Sequence, residues 1–173
     1  MATKEHVMDP KTKYQLFRQR KHFCTAPWNL LYVGVDGSIR SCSYGKVLGN
    51  ATQQDITDIQ CNKQFIQLKK DILDDKITDN CKECIYAENN TSAGNFDSLR
   101  NHYNKTNIDS SVDYTDTDKF KLASLDLHWS SVCDFKCVTC WAVQSSSIAR
   151  EENKPVNHTP TDVAERIIEY VVE

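Results

Sequence analysis

No stretch of this 173-residue sequence approaches the run of about 20 apolar residues that crosses a bilayer. Its first residues carry no apolar core of a secretory signal. Excess charge of one sign is missing too. The formal net charge is −3, which argues against a nucleic-acid partner or an anionic membrane surface. Basic residues gather only near the start, at Lys11, Lys13, Arg18, Arg20 and Lys21, and read as a solvated N-terminal arm over residues 1–22. Asn-x-Ser/Thr triplets at Asn50 and Asn104 read as chance matches, since nothing marks the chain for export. These absences place the protein in the cytoplasm. They also set the meaning of the eight cysteines: in a reducing compartment such residues are expected as ligands or catalytic groups, not as disulfides.

Along the chain, Trp28 to Val35 is rich in aromatic and β-branched residues, Asp36 and Gly37 supply a tight turn, and Ser38 to Cys42 returns. The pattern predicts a β-hairpin across residues 23–42, with Cys24 and Cys42 drawn toward each other. Ile56, Ile59, Phe65, Leu68 and Ile72 recur at near-helical spacing and predict a short turn followed by an amphipathic helix. Cys81 and Cys84 follow in a polar stretch suited to a knuckle, and Phe96, Leu99 and Tyr103 mark a further helix. Residues 104–118 are dominated by Asn, Asp, Ser and Thr and read as a linker. Beyond it, Phe120, Leu122, Leu125 and Leu127 predict a buried strand ending near Trp129. Thr159 as N-cap, Pro160 at the first helical position and a stripe of Val163, Ile167 and Val171 predict a last helix.

Just past the predicted strand, Cys133, Cys137 and Cys140 are spaced C-x3-C-x2-C. Soft thiolates select iron–sulfur clusters, zinc or Cu(I). Three thiolates on a short loop can hold three corners of a [4Fe-4S] cubane and leave the fourth iron without a protein ligand. A ferredoxin instead supplies four cysteines per cluster. Two other chemistries use the same residues: a zinc site with His128 as fourth ligand, or a Cys137–Cys140 redox pair. Zinc knuckles usually draw ligand pairs from separate segments, and the redox pair leaves Cys133 unused, so the cluster is the preferred reading. A structural place at the strand end is the simpler role for His128.

This spacing after a strand resembles the signature of the radical S-adenosylmethionine superfamily, carried here by Leu125 to Trp129 and by Ser131 to Cys140. Thr139 stands where many members have an aromatic residue; Phe135 and Trp141 are the aromatics near enough to pack around a cluster. The resemblance implies a partial α/β barrel and a [4Fe-4S] cluster on Cys133, Cys137 and Cys140 whose open iron chelates S-adenosylmethionine. It implies reductive cleavage to a 5′-deoxyadenosyl radical that abstracts hydrogen from a substrate, with the protein orienting the cofactor. An electron donor such as a flavodoxin or ferredoxin is implied as well. The substrate class is not legible, peptides being one candidate by analogy.

Cys24, Cys42, Cys81 and Cys84 sit among Pro27 and Trp28, Asp36 and Gly37, and Leu48, Gly49 and Asn50. This text resembles the single-cluster twitch form of the SPASM extension, placed before the barrel instead of after it. No cysteine lies between Cys84 and Cys133, so a second auxiliary cluster is not expected. The resemblance implies an auxiliary [4Fe-4S] cluster; a structural zinc on the same four thiolates meets the same spacing. Either would staple a small domain. Cys61 reads as a free thiol. The expected architecture is α/β with an α+β N-terminal part: a metal-bound hairpin-plus-helix domain over 23–103, the linker 104–118, and the first strand and helix of a radical-SAM partial α/β barrel over 119–173. Later barrel strands are not there. The chain is therefore expected to be the N-terminal portion of a longer, truncated enzyme that binds clusters but turns over little alone.

Overall fold

A computed structural model describes residues 9–90 and 98–172; the first part of the basic arm and Phe96 lie outside the described residues. Asp9 accepts hydrogen bonds from the amides of Lys11 (2.8 Å) and Thr12 (3.1 Å). With Pro10 in the first turn, this cap starts α1, Pro10–Gln19. The arm is not wholly solvated, because Leu16 of α1 is buried in the main core.

Pro27 starts a helical turn, not a strand. α2 covers Ala26–Asn29, so Trp28, expected in the hairpin, lies in that turn and its Nε1 donates to the Asp116 carbonyl at 2.9 Å. The hairpin itself is β1, Leu30–Val33, and β2, Ser38–Arg40, with Tyr32 opposite Arg40 and Val33 opposite Ile39. Gly37 makes the turn at φ 75°, where a Cβ would meet Thr52 Cγ2 at 2.9 Å. β3, Gly49–Asn50, pairs antiparallel with β2. A Cβ on Gly49 would lie 2.6 Å from the Ile59 side chain, so only glycine lets β3 approach that closely. Asn50 closes the corner, its Nδ2 donating to Asp36 O at 3.1 Å and its Oδ1 accepting from the Thr52 amide at 2.8 Å.

The expected turn and amphipathic helix are α3, Ile56–Gln60, and α4, Lys63–Leu73. Asn62 caps α4 by accepting from the amides of Gln64 and Phe65, both at 2.9 Å, and Phe65, Leu68 and Ile72 are its buried face. α5, Lys82–Asn90, and α6, Leu99–Thr106, follow.

The chain then returns to the sheet. β4, Ser124–Leu127, lies parallel to β1, with Leu31 opposite Leu125 and Tyr32 opposite Asp126. The sheet order is β3-β2-β1-β4, and the architecture is mixed α and β around one small mixed sheet. Lys121 and Ala123 extend the pairing by donating to the carbonyls of Trp28 (2.9 Å) and Asn29 (2.8 Å). β4 is half-buried along its length, less covered than the run of leucines suggests. The polar stretch 104–118 contributes Val112 and Tyr114 to the same core as Trp28, Leu31 and Phe65.

Two helices complete the described fold: α7, Ser146–Glu151, and α8, Thr161–Val172. Val163 and Ile167 of α8 are buried in the main core. Val171 is exposed; the next contact on that face comes from Tyr170, which packs on the core and hydrogen-bonds Gln60. Among the described residues no helix is long and apolar enough to cross a membrane.

Candidate metal centres

The hairpin and α5 bring four thiols to one place. Cys24 lies just ahead of α2, Cys42 two residues beyond β2, Cys81 directly before α5 and Cys84 in its first turn. Cys24 and Cys84 are buried and Cys42 and Cys81 half-buried. They are close enough to repel one another when ionised, Cys24 feeling Cys81, Cys42 and Cys84. Burial is the larger effect. It pushes Cys24 well above an ordinary thiol, Cys42 to about 11, and Cys81 and Cys84 upward as well.

Against that cost, polar hydrogens are aimed at the sulfurs. The Ala26 amide faces Cys24, the Tyr44 and Gly45 amides face Cys42, and the Leu99 and Arg100 amides at the start of α6 face Cys84. The Thr78 hydroxyl is near enough to Cys81 to lower its pKa, yet its buried oxygen completes no hydrogen bond. A sulfur anion at Cys81 is the acceptor this hydroxyl lacks. Four thiols that resist ionisation, each with a donor waiting for the anion, fit a cationic core that takes them as thiolates.

Among the described residues no three His, Cys, Asp or Glu side chains stand where one metal ion could be held.

Around Cys84 a partly buried ion pair fixes the frame. Arg100 of α6 pairs with Glu88 of α5 and donates to the Phe23 carbonyl at 3.1 Å, next to Cys24. Burial opposes ionisation of Glu88, but hydrogen bonds from Arg100 and Ser98 outweigh it and hold the carboxyl below its ordinary value. Tyr103, on the same helix, lies in the apolar cluster with Cys24 and Cys42, and burial raises its hydroxyl to about 12. The sequence reading missed Glu88 and Arg100. Their one local signal is Ser98, whose capping of α6 sets Arg100 in its first turn.

The second cysteine set lies beyond the carboxyl end of β4. His128 N donates to Val33 O at 2.9 Å, and Ser131 is tied to Asn157. From there to Ser145 the chain forms no helix or strand. Three consecutive serines hold this loop. Ser146 Oγ accepts from the Cys133 amide at 3.0 Å, and the Ser146 and Ser147 hydroxyls donate to the Cys133 carbonyl at 2.9 and 3.0 Å. Ser145 Oγ donates to Phe135 O at 2.8 Å while capping α7. The Cys140 amide donates to Cys137 O at 2.9 Å, curling the last two cysteines into a turn. Cys133 and Cys140 are half-buried and Cys137 is exposed. Phe135 and Trp141, expected around a cluster, are also exposed, with Val132 and Val138 beside them.

His128 is held at the end of β4. Its Nε2 lies 3.1 Å from Asp126 Oδ1 and its ring stacks 4.9 Å from Tyr32, which is the strand-end role. Cys61 is exposed at the end of α3, away from both sets in sequence and element.

Residues 24–85 match the family model of the SPASM iron–sulfur cluster-binding domain. The matched span contains Cys24, Cys42, Cys81 and Cys84, and it assigns iron–sulfur binding to the hairpin-and-helix part of the chain. No curated protein and no solved structure matches the chain.

Proposed function

We propose that this chain is the cluster-bearing part of a radical S-adenosylmethionine enzyme. Cys24, Cys42, Cys81 and Cys84 would hold the auxiliary [4Fe-4S] cluster of the matched domain, in place of a structural zinc. Cys133, Cys137 and Cys140 would hold a second one. The supporting observation is the C-x3-C-x2-C loop at the carboxyl end of a strand that shares its sheet with the matched iron–sulfur domain. Bound on three thiolates, such a cluster supplies one-electron reductive cleavage of S-adenosylmethionine to methionine and a 5′-deoxyadenosyl radical.

The chain's own residues supply position. Ser145, Ser146 and Ser147 fix the loop backbone at Cys133 and Phe135, and a turn joins Cys137 to Cys140. The exposed Val132, Phe135, Val138 and Trp141 would exclude water once covered. On this reading the protein is cytoplasmic and takes electrons from a flavodoxin or ferredoxin. Its substrate is a hydrogen-atom donor, a peptide being one class.

The test is anaerobic reconstitution. Wild type is expected to take up about eight irons, and about four after replacing Cys133, Cys137 and Cys140 by Ala. Replacing Cys24, Cys42, Cys81 and Cys84 should also leave about four. S-adenosylmethionine should change the magnetic spectrum of the second variant and not of the first. Zinc in place of iron, or spectra indifferent to S-adenosylmethionine, would overturn the reading.

A further inference from the structure

One face of the sheet carries a row of polar side chains, whose central member, Tyr32, packs in the cluster of Cys24 and Tyr103. Tyr32 lies opposite Arg40 on one side and opposite Asp126 on the other. Residues directly opposite in a sheet project to the same face, about 4.8 Å apart, so Arg40, Tyr32 and Asp126 form a line straight across three strands. His128, two residues past Asp126, joins the same face and contacts both Tyr32 and Asp126. The opposite face, with Leu31, Val33 and Ile39, is sealed in the main core.

The row lies between the two cysteine sets. Leu30, which starts β1, packs in one cluster with Cys24, and β2, running the other way, ends toward Cys42. β4 runs with β1 and leads out at its far end into the loop of Cys133, Cys137 and Cys140.

Arg40 is the informative member. Its guanidinium carbon sits 5.4 Å from the centre of the Tyr32 ring, and its Nε is buried without a hydrogen-bond partner. Among the described residues no carboxylate forms an ion pair with it; Asp36 feels its charge but spends its hydrogen bond on the Ser38 amide. A guanidinium that is stacked, partly desolvated and without a carboxylate still has its two terminal nitrogens, a pair that carboxylates take in bidentate fashion. At the other end of the row the Asp126 and His128 side chains remain 38% and 36% exposed, so a ligand can reach the row from that side.

We propose that this row is a binding site for an organic carboxylate that also carries a hydrogen-bond donor. Arg40 takes the carboxylate, the Tyr32 and His128 rings form the floor, and Asp126 accepts from the ligand's N–H or O–H. The site does not depend on cluster chemistry, although under the function proposed above it would set a substrate between the two clusters. A free small molecule and the C-terminus of a peptide share this chemistry.

Ligand-observed saturation-transfer NMR on the intact protein tests it, with N-acetylglycine and N-acetylglycinamide as probes. The two differ in the carboxylate. N-acetylglycine should bind saturably and N-acetylglycinamide should not. Arg40→Gln should weaken N-acetylglycine about tenfold or more, while Lys63→Gln, on the outer surface of α4, should leave it unchanged. A peptide ending in free glycine, compared with the same peptide amidated, separates the two sources: binding through its terminus favours the peptide, binding of N-acetylglycine alone the small molecule. Equal signals from N-acetylglycine and N-acetylglycinamide on wild type would overturn the proposal, whether or not Arg40→Gln folds. So would unchanged affinity in a folded Arg40→Gln. Neither outcome bears on iron uptake, which the reconstitution reads separately.

Discussion

Leu31 lies directly opposite Leu125 in parallel register, and through that pair the cysteine-bearing hairpin and the strand before the second cysteine loop become one sheet. Leu31 is fully buried and Leu125 packs on the same core. Leu125→Asp places a carboxylate against that core. The expected loss is about 2–4 kcal/mol, read as a lower denaturant midpoint, with poorer iron retention at both cysteine sets. A variant that loses iron only at Cys133, Cys137 and Cys140, with an unchanged midpoint, would show that the two parts stand independently.

Glu88→Gln should cost about 2–4 kcal/mol, because it leaves the Arg100 guanidinium partly buried without its counter-charge. The pH dependence has a definite sign. A carboxyl held below its unfolded pKa stabilises the fold above the ordinary carboxylate range and loses that contribution as pH falls through it. The gap between wild type and Glu88→Gln should therefore narrow below about pH 4. Denaturant melts at neutral and acid pH check this; a gap that is constant across pH would mean the variant acts through shape alone.

Lys69 gives the opposite window. Its side chain is fully buried and Nζ donates to the carbonyls of Thr117 (3.1 Å) and Lys119 (2.7 Å). Burial brings its ammonium down from 10.5 to about 8. A base depressed in this way binds fewer protons folded than unfolded, so its cost fades as pH rises from about 8 to about 10.5. Relative to Lys69→Met, iron-loaded wild type should gain about 3 kcal/mol across that span and change little below about pH 7. A difference that shrinks with rising pH would mean that Lys69 keeps its proton in the fold.

Local chemistry was legible where it was complete within a few residues. Asp36 and Gly37 announced the turn, and Phe65, Leu68 and Ile72 announced the buried face of α4. The four thiols of the hairpin and α5 could be grouped from spacing and resemblance. The residue type of Trp28 favours a strand, but Pro27 in a helical first turn prevails. Steps of four carry the last stripe to Val171, whereas 3.6 residues per turn carries the face from Val163 through Ile167 to Tyr170. Val112 and Tyr114 were hidden in a polar run whose composition suggested a spacer. The parallel match of Leu31 to Leu125 has no local signature, since the partners are 94 residues apart. Arg40, Tyr32 and Asp126 could be read as a row only once that register was known.

The late arrival of β4 has a consequence for biosynthesis. The four thiols at Cys24, Cys42, Cys81 and Cys84 leave the ribosome before the strand that completes their sheet, and 43 residues separate Cys84 from Leu127. At about 5–20 residues per second, that is roughly 2–9 s in which the nascent hairpin lacks its parallel neighbour. During this interval the thiols that the finished protein keeps buried or half-buried are open to oxygen, peroxide and stray metal. Cluster delivery would then be most faithful after translation has passed Leu127, which makes the strand a timer as well as a support.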